Sequence, residues 1–90
     1  MNTLPDWNRS SVQRLILDAE AALTHLDHAM HFPDSAEQAR ALRNGRRAWK
    51  DIARRRRNFL LTPHSAVALE HLLDQIRERL RLLREKLVSQ

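Results

Sequence analysis

An all-α fold, an up-down-up antiparallel bundle of three helices, is predicted for this chain on three observations. Apolar residues recur at helical spacing in the first and last thirds, Pro33 and Pro63 divide the sequence into three stretches of similar length, and Gly45 is the only glycine. No stretch alternates with the period of two that a strand requires.

The first stretch carries Val12, Ile16, Ala19, Leu23, Leu26 and Met30 in alternating steps of four and three, the seam of an amphipathic helix. Ser10 with Gln13 three residues on forms a capping-box pattern, and Phe32-Pro33 supplies a stop because proline disfavours helix in the residue before it. A helix over about 10–31 follows. Asp34 with Glu37 repeats the cap logic and opens a second helix, over about 35–61, which ends where Thr62 suits an N-cap and Pro63 a first helical position. Leu69, Leu73, Ile76, Leu80, Leu83 and Leu87 give the third helix, over about 63–88. Connections of two or three residues make neighbouring helices antiparallel.

The second helix is the irregular one. Its apolar side, Ala39, Leu42, Trp49, Ile52, Ala53, Phe59 and Leu60, is interrupted by Gly45, Arg46 and Arg56. A glycine inside a helix costs about 1 kcal/mol against alanine, so Gly45 either lets a neighbour approach closely or marks a break after Asn44. Ala41 and Gly45 have the spacing of a helix-turn-helix motif, with a basic segment following. The apolar positions that motif requires six and nine residues after the glycine are here Asp51 and Arg54, so the pattern is not completed. By reflection about the turns, Glu20 is a candidate partner for Arg46, and Arg56 has no evident partner.

Ninety residues suit a single domain spanning 1–90, and the absence of cysteine excludes disulfides and thiolate metal sites. The sequence around Met1–Trp7 has no basic region followed by an apolar core, and no stretch approaches the length of a membrane span, which leads us to expect a cytoplasmic protein without membrane contact. Charge is unevenly placed. Residues 37–57 hold nine basic side chains against Glu37 and Asp51, more than accounting for the net +5 of the whole chain. Such a concentrated field steers acidic partners.

Within that segment Arg40, Arg43, Arg47, Lys50, Arg54 and Arg57 recur in steps of three and four, which stacks six cations along one helix face. Opposite charges at that spacing support a helix, as Asp74 with Arg77 and Glu78 with Arg81 can in the third helix, whereas like charges destabilise it by about 0.2–0.5 kcal/mol per pair. An anionic partner would relieve this. The expected function is therefore binding to DNA or RNA phosphate through these six residues, with Arg43, Lys50 and Arg54 central. The alternative is an adaptor or inhibitor that binds an acidic protein surface, since arginine forks also engage carboxylates bidentately. A homodimer fits that alternative, because Leu15, Ala22 and Ala29 broaden the first helix's apolar sector and Leu82 and Val88 broaden the third's.

Base readout and single-strand stacking both have little support: Asn44 and Asn58 are the only amides in or beside the stripe, and there is no tyrosine. Trp49 and Phe59 belong on the core side, and Trp7 suits packing over a bundle end. No catalytic role is expected. His25, His28 and His31, with Asp27 nearby, recur in steps of three that spread imidazoles around a helix, and His64 and His71 lack companions. No glycine-rich phosphate loop or nucleophile motif occurs, and no cofactor or metal is implied.

Overall fold

The computed structural model describes residues 6–31 and 34–89. Three helices, α1 (Asp6–Met30), α2 (Ser35–Arg55) and α3 (Pro63–Val88), pack against one another, with a 3₁₀ turn at Arg56–Asn58 following α2. The interhelical pairs give the topology. Asp18 meets Arg55 and Ala29 meets Gln38, so α1 and α2 run antiparallel; Trp49 meets Leu73 and Arg56 meets Glu70, so α2 and α3 do likewise. Asp27 with Arg79 and Met30 with Lys86 then place α1 and α3 parallel, completing the up-down-up bundle.

The core is a line of aliphatic side chains from all three helices, with Leu15, Leu26, Ile52, Leu69, Ile76 and Leu83 essentially sealed from solvent. Leu15 and Ala29, which widen the apolar sector of α1 in the sequence, are buried within this core. Leu82 is half-buried and Val88 exposed on α3.

Two boundaries differ from expectation. α1 begins at Asp6, one turn earlier than Ser10, because no proline or glycine interrupts residues 6–10; Ser10 is therefore an interior helical residue and no N-cap. Its helical conformation ends at Met30, while Phe32 and Pro33, the expected stop, lie outside the described residues, as does the side chain of Trp7. α2 ends at Arg55 instead of continuing to 61. The chain tightens into the 3₁₀ turn and then becomes extended, with Phe59 at φ −127° and ψ 149°. Extended backbone alternates its side chains, and here Phe59 and Leu61 pack onto the core while Leu60 is 67% exposed. A continued helix would have turned these two inward residues to different sides.

The expected caps form at the other ends. Asp34 accepts from the Ala36 N–H at 2.9 Å, and Thr62 accepts from the Ser65 N–H at 3.1 Å with Pro63 opening α3. At the C-terminal end of α1 the free carbonyls are met from elsewhere in the fold. Gln38 Nε2 on α2 donates to the Ala29 carbonyl at 3.4 Å, and Lys86 Nζ on α3 donates to that of Met30 at 2.5 Å.

Gly45 lies inside α2 and is buried. A Cβ there would stand 2.9 Å from Leu26 Cδ2 on α1 and 2.9 Å from Leu80 Cδ2 on α3. The close approach is thus to both neighbouring helices at once.

Candidate functional site

All six cations of the stripe are exposed. Taking Gly45 as the centre of the buried line and about 100° per residue, Arg40, Arg43, Arg47, Lys50 and Arg54 fall within roughly 40° of the opposite direction. The sequence therefore points these side chains straight out from the bundle. Five of them occupy about 21 Å of α2, and Arg57 extends the row through the 3₁₀ turn.

Acids border the row at two places. Arg40 donates to Glu37 at 2.8 Å, and Arg54 to Asp51 at 3.3 Å. Both pairs are solvent-exposed, the class of ion pair worth about 0–1 kcal/mol, so either arginine can exchange its carboxylate for another anion at little cost. Arg43, Arg47, Lys50 and Arg57 have no acid partner among the described residues. The centre of the row is accordingly Arg43, Arg47 and Lys50, whereas Arg54 is engaged. Asn44, Arg47, Ala48, Lys50, Asp51 and Arg54 line a shallow, open depression on this face.

Arg55 of α2 and Arg56 of the turn hold the fold together. Arg55 bridges helices, donating to Asp51 at 2.8 Å and to Asp18 of α1 at 3.1 Å. Arg56 reaches Glu70 of α3 at 2.5 Å, the partner that sequence spacing did not supply. The expected Glu20–Arg46 pair does not form. Glu20 lies two turns from Asp27 on α1, on the side that faces α3, as the Asp27–Arg79 contact at 2.6 Å shows, while α2 packs on the Asp18 side.

Hydrogen bonding from Arg55, reinforced by Arg54, holds the Asp51 carboxyl below its usual value, and Asp51 in turn raises Arg55. A carboxyl with a depressed folded pKa stabilises the protein above the unfolded value, and that contribution disappears as pH falls through the folded one. Asp51→Asn should therefore flatten the acid limb of the stability curve below about pH 4, measurable as melting temperature against pH. Parallel curves for wild type and variant would show that the carboxylate is not held. On α3, Arg81 hydrogen-bonds Glu78 and Glu85, lowering the Glu78 carboxyl and raising its own guanidinium.

Trp49 is half-buried. Its Nε1 donates to the Leu73 carbonyl at 3.1 Å, and the Arg77 guanidinium stands 5.1 Å from its ring centre. Between α1 and α2 runs a groove of about 470 Å³ floored by Ala22, Ala41, Gly45 and Ala48, with His25 and His28 along one wall. Among the described residues no three metal-ligating side chains come together, and no helix is long and apolar enough to cross a membrane. Comparison with protein-family models, with curated proteins and with solved structures finds no match.

Proposed function

We propose that this protein binds nucleic acid through the phosphate backbone, using the outward face of α2. The observation that carries the reading is the alignment of Arg40, Arg43, Arg47, Lys50, Arg54 and Arg57 directly away from the core, with the central three unpaired among the described residues. Placing like charges at helical spacing works against folding. A polyanion on that face converts the repulsion into attraction and gains the entropy of released counterions.

Four to six phosphate contacts imply a slope of log affinity against log salt of about −4 to −5 on duplex DNA. Recognition of this kind follows the charge of the backbone, and the face offers few groups suited to base edges. The bundle holds the row rigid through the Arg55 bridge and the Gly45 close approach, so binding needs no ordering of α2.

Fluorescence anisotropy of labelled DNA and RNA, titrated between about 50 and 200 mM salt, tests the reading. Micromolar or tighter binding that weakens steeply with salt is the expected result. Absence of binding at the low end would overturn it and favour an acidic protein partner, for which the alanine-floored groove beside Arg40 provides apolar contact area next to the charge.

A further inference from the structure

We propose that the phosphate-binding face is two helices wide, continuing from α2 onto Arg77 and Arg84 of α3, and that it therefore fits duplex in preference to single-stranded nucleic acid. This rests on the reading of α2 given above and specifies its ligand. The two rows are brought together by Gly45, whose missing side chain admits Leu80 of α3. Helices in contact lie about 8–10 Å apart.

Trp49 and Arg56 face α3, and Arg46 falls on the same flank of α2, exposed and without an acid partner among the described residues. Across the junction Arg77 lies over Trp49, which fixes it on the edge of α3 nearest α2. Arg84 follows seven residues later, two turns on and about 10 Å along the same edge. It is exposed and likewise lacks an acid partner among the described residues.

Two of the acids of α3 are placed differently. Glu78 and Glu85 each follow Arg77 and Arg84 by one residue, which rotates them about 100° further from α2, and both are occupied by Arg81. Glu70 is taken by Arg56. Arg79 and Lys86 turn towards α1, and Asp74, exposed three residues before Arg77, is an acid beside this edge, so Arg84 is the cation of α3 that stands clear of carboxylates.

One row of cations follows one strand. Rows on two neighbouring helices can each take one of the two phosphate backbones that flank a duplex groove, about 6 Å across for the minor and about 12 Å for the major groove of B-DNA. A single strand asks for exposed aromatic platforms. Trp49 is no such platform, because its ring carries Arg77 and its N–H is held by the Leu73 carbonyl. Phe59 packs onto the core.

The test compares a duplex of about 20 base pairs with one of its strands, using the full chain and reading anisotropy against salt. The variants are Arg84→Gln, which breaks no internal pair among the described residues, and Arg77→Gln/Arg84→Gln. The double variant should bind duplex about tenfold or more weakly with a slope shallower by about 2, and the single variant with a slope shallower by about 1. Single-strand affinity should change less than about twofold. Unchanged duplex slopes, or equal losses on both polymers, would overturn the proposal. Wild-type protein binding single strands as tightly as duplex would overturn the duplex preference while leaving the role of α2 intact, and wild-type protein that binds neither polymer would overturn the underlying reading.

Discussion

Replacing Arg43, Arg47 and Lys50 together by glutamate is expected to abolish nucleic-acid binding while leaving the bundle folded. Each phosphate that goes unneutralised takes about 0.9 from the salt slope, roughly a fivefold weakening near physiological salt, so three of them cost at least about 100-fold before any repulsion is counted. The three new carboxylates then repel the backbone and carry the effect beyond the range of a micromolar titration. Folding should not suffer, because none of the three side chains has an internal partner among the described residues and all are exposed. The carboxylates also stand three or four residues from Arg40, Arg46 and Arg54, turning several like-charge repulsions into attractions of about 0.2–0.5 kcal/mol each. Circular dichroism should report unchanged helicity and a melting temperature equal to or above that of wild type. Salt-sensitive binding that survives in this variant would remove Arg43, Arg47 and Lys50, the centre of the row, from the interface.

Gly45→Leu should cost about 3 kcal/mol or more, a large part of the stability of a domain this size. The first carbon of any side chain meets Leu26 and Leu80 at 2.9 Å from two sides, and a leucine adds three further carbons beyond that crowded one. Gly45→Ala separates the causes. Alanine gains about 1 kcal/mol of helix propensity, and the atoms in its way are the methyl ends of two leucines, of which Leu80 is only half-buried and can turn. Its net effect should stay within about 1 kcal/mol of wild type. Denaturant unfolding of the two variants measures both. A Gly45→Leu protein as stable as wild type would show that α2 does not approach its neighbours as closely as described.

The helices and their order are readable because leucine spacing and the Thr62-Pro63 junction are local signals, fixed by backbone geometry within a few residues. The core side of α2 is only half readable. Its seam is Gln38, Leu42, Gly45, Trp49 and Ile52, in steps of four, three, four and three, but a search for apolar residues passes over a glutamine and a glycine and sees a gap instead. Gln38 is sealed from solvent because its amide serves the Ala29 carbonyl, a role that depends on where the end of α1 comes to lie.

The outward direction of the stripe follows from the period alone. Its partners do not. Whether Arg55 or Arg46 reaches α1, and whether Asp18 or Glu20 receives it, depends on which flank of α1 the second helix takes, and hydrophobic spacing is indifferent to that choice. The bordering pairs Arg40–Glu37 and Arg54–Asp51 are available from spacing, since each joins residues three apart. A search for cations alone passes over them and puts Arg54 at the centre of the row.

The last turn of a helix ordinarily opens and recloses by itself, well before the rest of a protein comes apart. In α1 that turn is gripped by Gln38 from one neighbour and Lys86 from the other. Opening the turn therefore costs contacts with two other helices besides its own backbone hydrogen bonds. The far end of α1 is thus a clasp, which draws the stability of a local turn closer to that of the bundle as a whole.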